Sequence, residues 1–212
     1  GNQPDIALWN LVQLGNALYP LIGDIPAMEK ILENYNTQFD LQYHQMMKNK
    51  LGLEENYDNI LHDELQDVLK LTETDMTIFY RNLSSVLKTD FAENALEKIT
   101  KSFYKPDEIK EKIKDNWIKW LNLYIERLGR EFDLDAIRKE KMNSVNPKYV
   151  LRNYMAQLAI DAADRGDYSI INELYIMLKN PYDEQPNSEK WFAKRPDWAR
   201  DKVGCSMLSC SS

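Results

Sequence analysis

The chain has 212 residues, with 27 Lys and Arg against 34 Asp and Glu for a net charge of −7, and 43% of its residues are hydrophobic. With only 7 Gly and 8 Pro it falls well below the roughly 12% of average usage, which argues against collagen-like, linker-rich and turn-dense all-β architectures. An aromatic content of 11% supplies a core and excludes global disorder, while a pI near 5.0 gives no global electrostatic reason to bind nucleic acid or an anionic membrane.

Helical periodicity begins at once. Ile6, Trp9, Leu11, Leu14, Leu18 and Leu21 predict a first helix that starts at Pro4 and Asp5 and breaks between Pro20 and Pro26. A second is expected from Pro26 through Ile31, Tyr35, Phe39 and Tyr43 to about Leu51, with Gly52 as its stop. Asp58 or Asn59 could cap a third, carrying Ile60, Leu61, Leu65, Val68, Leu69 and Leu71; Thr74 or Asp75 could cap a fourth, with Ile78, Phe79, Leu83 and Val86. A short helix is expected near 92–104.

The strongest amphipathic pattern starts at Pro106. Ile109, Ile113, Trp117, Trp120, Tyr124, Leu128 and Phe132 advance by three or four residues at each step, predicting a helix of about seven turns. Asn146 and Pro147 read as the cap and first turn of the next helix, which carries Leu151, Tyr154, Leu158 and Ala162 until Gly166. Asp167 or Ser169 opens a last one with Ile170, Ile171, Leu174 and Leu178, closed by Pro181. From there the texture is irregular, and Trp191 and Trp198 are its expected anchors. Alternation of period two is absent beyond a few residues. The expectation is an all-α, irregular assembly of eight or nine helices, with a helical domain over 1–180 and a tail over 181–212.

The sequence offers few chemical motifs. Glycines at 1, 15, 23, 52, 129, 166 and 204 form neither GxGxxG nor a P-loop, and HRD, DFG, GxSxG and HExxH strings are missing. His44 and His62 lack the Glu three positions earlier that a di-iron bundle uses. The acidic run Glu54, Glu55, His62, Asp63 and Glu64 fits an exposed first helical turn better than a metal site. Lys98, Lys101, Lys105, Lys110 and Lys114 are interleaved with acids, as on a solvated mixed-charge face. Arg152, Asn153, Gln157 and Asp161 line an otherwise apolar helix and call for inter-helix partners. Cys205 and Cys210, both in the tail, are candidates for thiol exchange and equally for inert residues. No apolar run is long enough to span a bilayer, and residues 1–4 lack a signal-peptide pattern, so the cytosol is the expected compartment. A first residue of Gly reads as a piece of something longer.

Several unusual strings then line up in order. They are Asn2-Gln3-Pro4 with Trp9-Asn10-Leu11, Asn146-Pro147-Lys148-Tyr149-Val150-Leu151-Arg152-Asn153-Tyr154, Gly166-Asp167, Pro181-Tyr182-Asp183-Glu184-Gln185-Pro186, Pro196-Asp197-Trp198-Ala199 and Cys210-Ser211-Ser212. Together they resemble the C-terminal part of the selenoprotein O family. The resemblance implies the helical portion of a protein-kinase-like, pseudokinase fold and a parent enzyme that transfers AMP from ATP to protein hydroxyls with Mg or Mn. It also implies that no catalytic, nucleotide or metal residue lies in this chain, so the partners would be the missing kinase-like region and protein substrates, with no nucleic acid and no membrane. Cys210 stands where animal members carry selenocysteine, which implies a redox role with Cys205 or an upstream cysteine. The rival expectation is an independent helical interaction domain with a redox-active tail.

Overall fold

The computed structural model describes residues 2–54, 60–202 and 204–205. Among them are nine α-helices, short 3-10 turns and no strand, the single β pairing being an isolated bridge between Thr74 and Phe103. The all-α expectation holds. The chain divides into two compact units, residues 1–48 and 49–212.

The first unit is built on α1 (Gln3–Ile22) and the greater part of α2 (Ile25–Leu51). Pro20 does not break α1 but lies inside its last turn, where proline removes one backbone donor without needing to end the helix. The stop comes at Gly23, whose φ of 70° is a left-handed cap and whose N–H donates to the Tyr19 carbonyl at 2.8 Å. Asp24 then accepts the Ala27 N–H at 3.1 Å. Tyr35 donates to the Pro4 carbonyl at 3.4 Å, and Tyr35, Phe39 and Tyr43 stack at successive centroid distances of 6.2 and 6.0 Å. α1 has no buried residue. That is unusual for so apolar a helix, because an all-round apolar surface normally marks a helix buried in a larger core.

The second unit carries the core. It comprises α3 (Ile60–Leu69), α4 (Met76–Leu83), α5 (Ala92–Ile99), α6 (Glu111–Leu128), α7 (Asp135–Val145), α8 (Asn153–Ala163) and α9 (Ser169–Leu178). On α6, Trp117, Trp120, Leu121, Tyr124 and Leu128 are all fully or almost fully buried. Phe79 lies 5.8 Å from Trp117, Phe103 lies 5.0 Å from it, and Trp120 stacks on Tyr124 at 5.3 Å. Each such ring stabilises the fold by about 1.5–3 kcal/mol through burial alone. Their polar atoms also tie elements together: Trp120 Nε1 donates to the Leu61 carbonyl at 3.0 Å and the Tyr124 hydroxyl to the Leu51 carbonyl at 2.9 Å. The aromatic stripe is core.

Three expectations need correcting. The long helix is 18 residues, not seven turns: Pro106–Glu108 forms a separate 3-10 turn, Gly129 caps the end, and Phe132 lies beyond it, 87% exposed. Asn146 and Pro147 do not start a helix, because α8 begins only at Asn153. The Asn146 side chain instead accepts from Lys50 Nζ at 2.9 Å and donates to the Lys50 carbonyl at 3.0 Å. Lastly, α7 was absent from the sequence reading. It buries only Arg138 and Met142, too thin a stripe for periodicity to mark. The expected caps Asp58 and Asn59 lie outside the described residues, whereas Asp75 does cap α4, accepting from Ile78 N–H at 3.1 Å.

Candidate functional site

The two most distinctive strings of the sequence, 146–154 and 181–186, meet in space. Lys148 and Tyr149 both donate their backbone N–H groups to the Pro181 carbonyl, at 2.8 and 3.0 Å. The Tyr149 hydroxyl donates to the Gln185 carbonyl at 3.0 Å, and Gln185 Nε2 donates to the carbonyls of Met177 and Asn180 at 3.0 and 2.7 Å. Gln185 thus closes the open C-terminal end of α9, where the last carbonyls of a helix lack partners.

Charge fixes the same junction. Arg81, on α4 and only 7% exposed, donates to the carbonyls of Asn143, Asn146 and Tyr182, each at 3.0 Å, and to the Glu184 carboxylate at 2.7 Å. Lys148 donates to Glu184 and to Glu189, both at 2.6 Å. The hydrogen bond from Lys148 holds the Glu184 carboxyl below its ordinary range; burial opposes this, and Arg81 reinforces it. Burial alone would pull Lys148 down, but the two carboxylates outweigh it and hold its ammonium above the usual lysine range. A buried guanidinium stabilises the fold when its donors find acceptors, and here both terminal nitrogens of Arg81 have two each.

A second cluster flanks the first. Arg152 forms a fork on Asp75, with Nη2 to Oδ1 at 2.8 Å and Nη1 to Oδ2. Tyr104 donates to the same carboxylate at 3.3 Å, and its own hydroxyl accepts the Arg195 N–H at 3.1 Å. Burial pushes the Tyr104 phenol above its ordinary value. Further along α8, Gln157 donates to Asp161 at 2.7 Å and Lys202 donates to Asp161 at 2.5 Å. Arg152 and Asp161 thus find chain-distant partners in Asp75 and Lys202, whereas Gln157 bonds within α8 itself, to Asp161 one turn on. Arg81 was missed by the sequence reading, although an Arg within the apolar stripe of a short helix is a signal that a buried acceptor set must exist.

Of the two thiol candidates, Cys205 is described and Cys210 lies outside the described residues. Cys205 is a free thiol, buried in a cluster with Tyr149, Tyr154, Met155, Ala159, Trp191 and Ala199. Trp191 is an anchor as expected, while Trp198 is about half exposed and meets Tyr154 edge-on at 6.3 Å. Among the described residues no group of three or more His, Cys, Asp or Glu is placed to hold a metal ion. No helix there is long and apolar enough to cross a membrane. Chemically, the described polar side chains of the junction bind one another and position the 181–186 turn.

Comparison with known proteins gives this arrangement a lineage. A family model described as "Protein adenylyltransferase SelO" matches residues 1–179. The chain is 62% identical over 214 residues to the protein nucleotidyltransferase YdiU of Flavobacterium johnsoniae, covering all of this chain and 41% of that one. It is 45% identical over 224 residues to the protein of the same name from Rhodopirellula baltica, covering 42% of it, and 43% identical over 214 residues to that from Aromatoleum aromaticum, covering 40%. The chain thus spans about two fifths of the length of these relatives. Matched by the family model from its first residue to Lys179, the chain belongs to the SelO family.

Proposed function

We propose that this chain is the helical scaffold segment of a protein adenylyltransferase, an enzyme of pseudokinase fold that transfers AMP from ATP to Ser, Thr or Tyr hydroxyls of proteins in the cytosol, using Mg or Mn. In this reading the nucleotide and metal groups belong to the remaining three fifths of the family chain, and this segment alone is catalytically silent. The observation that carries the proposal is α1. It buries none of its residues within the described structure, and Trp9, Leu14, Leu21 and Ile22 stand more than half exposed. Beside it, an apolar groove of 340 Å³ is lined by Leu11, Leu14, Leu18, Met28, Ile31 and Leu32. Apolar surface of that extent is what a core lacking its other half presents. The printed names of the family and its relatives support adenylyl transfer as the activity of the whole. Phosphoryl-group chemistry depends on positioning, and a rigid helical body supplies that by fixing the elements packed on it.

The test incubates the full-length protein and this segment with α-labelled ATP, Mg or Mn and candidate protein substrates. Label should pass to protein with the full-length chain and not with the segment. Transfer by the segment alone would refute the division of labour proposed here.

A further inference from the structure

Residues 190–202 cross the second unit with little secondary structure: Lys190 and Trp191 end the 3-10 turn Pro186–Trp191, and another follows at Asp197–Ala199. Among the described residues, the backbone-to-backbone hydrogen bonds seen for them are local: Phe192 to Glu189, Ala199 to Pro196, Arg200 to Asp197, and Cys205 to Lys202. Trp191 and Ala199 reach into the apolar cluster below, the Arg195 N–H donates to the Tyr104 hydroxyl at 3.1 Å and Trp191 Nε1 donates to Glu173 at 2.9 Å. The other ties of this stretch to the rest of the unit are made by charged side chains. Lys190 pairs with Glu173 at 2.8 Å, Arg195 with Glu73 at 3.0 Å, Arg200 with the same Glu73 at 2.9 and 3.2 Å, and Lys202 with Asp161 at 2.5 Å. Lys194 donates to the Phe103 carbonyl at 2.5 Å, and the Arg195 and Arg200 guanidinium groups lie 5.7 and 5.1 Å from the Tyr104 ring centre. The Glu73, Arg195 and Arg200 side chains are each about a third exposed or more. Such pairs are individually weak and readily screened, since the Debye length contracts from about 10 Å at 0.1 M salt to about 3 Å at 1 M.

Beneath this stretch lies the apolar cluster of α8 and α9, to which the stretch itself gives Trp191 and Ala199, with Cys205 inside it. The chain just past the stretch is seated closely. Gly204 has φ of +87°, and a Cβ there would fall 2.5 Å from Gln157 Oε1. Three observations therefore coincide: backbone-to-backbone bonds that are only local, several partly exposed ion pairs along the stretch, and a buried thiol at its end. We propose that residues 190–202 are an electrostatically fastened strap that opens locally when its ion pairs are screened or broken, uncovering the α8–α9 cluster and making the Cys205 thiol reactive only in the open state. Segments that open at low cost are those held by few backbone bonds to the rest of the fold. Glu73 is the hinge of the fastening because two arginines share it.

The experiment alkylates the full-length protein with a neutral maleimide and follows modification of Cys205 by peptide-resolved mass spectrometry, at about 50 mM and about 500 mM NaCl. Hydrogen exchange of α6 is followed in parallel as a measure of global opening. The wild-type rate should rise several-fold with salt. Glu73→Gln should raise the low-salt rate about tenfold and flatten its salt dependence, with α6 protection unchanged. Glu126→Gln, which removes an exposed pair with Arg130 in which no residue of 190–202 takes part, should label as wild type. A salt-independent wild-type rate, a Glu73→Gln rate equal to wild type, or a rise accompanied by loss of α6 protection would each overturn the proposal.

Discussion

Arg152 and Asp75 stand 77 positions apart in the chain and meet as a two-pronged pair at the start of α4, where the same carboxylate also caps the helix. One carboxylate thus does two jobs: it satisfies the orphan N–H of Ile78 and neutralises a guanidinium from the start of α8. Truncating Arg152 to Ala leaves a buried carboxylate with its cap and the Tyr104 hydroxyl only. The expected loss is about 3 kcal/mol of unfolding free energy, read by urea denaturation of the full-length protein. Arg152→Lys should recover less than half, since an ammonium cannot make the parallel fork. Full recovery by Lys would show that charge alone, without the fork, holds the pair.

Gly52 ends α2 with φ of +67°, and a Cβ there would sit 2.7 Å from Met142 Cγ and Sδ and 2.9 Å from Arg138 Cγ. Both conformation and space are therefore closed to a side chain. Gly52→Ala should destabilise by about 2–4 kcal/mol, the sum of left-handed strain and overpacking. The check is a thermal melt, with Gly166→Ala as comparison, because Gly166 shares the positive φ and has nothing within contact. Equal losses at the two positions would place the whole effect in the backbone.

Burial pushes the Tyr124 phenol up to about 12, against the smaller opposing pull of Arg138. The folded state therefore keeps a proton that the unfolded chain gives up near pH 10. Stability from this group is complete below pH 10 and declines as pH rises from there to 12. Tyr104, Tyr149 and Tyr154 are raised as well, so a phenolate absorbance titration should show a late phase whose amplitude falls by one tyrosine in Tyr124→Phe. An unchanged late amplitude in the variant would assign it to the other rings.

Acid acts on the other junction. The Glu184 carboxyl is held below its ordinary value by Lys148 and Arg81, so its contribution is complete above the usual glutamate range near pH 4.3 and is lost as pH falls through the lowered folded value. Below that window the 181–186 turn should loosen from Lys148 and Tyr149. Protection of the Lys148 and Tyr149 amides from hydrogen exchange, taken relative to the intrinsic rate at each pH, should fall in acid for wild type. In Glu184→Gln the same amides should exchange faster already at neutral pH and show a flatter acid response.

The helices were legible where apolar spacing was dense and long, as on α6 and α8, because burial of one face is what writes that spacing. Phe132 shows the limit: it continues the numerical rhythm of α6 but lies past Gly129 in solvent. Asn146-Pro147 carries the chemistry of a helix start, yet Asn146 is occupied by Lys50, a partner 96 positions away that no local pattern can reveal. The two motif strings were visible as strings; that they form one junction was not, because their bonds join residues as far as 36 positions apart and are completed by Arg81, whose role depends on where three distant carbonyls converge. Asp75 was readable as a cap and unreadable as the counter-ion of Arg152.

The bond from Arg81 to Glu184 spans 103 positions, which sets an order of events during synthesis. A ribosome adding about 5–20 residues per second leaves about 5–20 s between the two residues. Throughout that interval α4 exists with a cationic side chain whose acceptors at Tyr182 and Glu184 have not yet been made. The growing chain must hold this charge in water, and only after the 181–186 turn is translated can Arg81 be drawn inside. Docking of that turn is thus a late checkpoint in biogenesis, separating a nascent chain that has its helices from one that has finished folding.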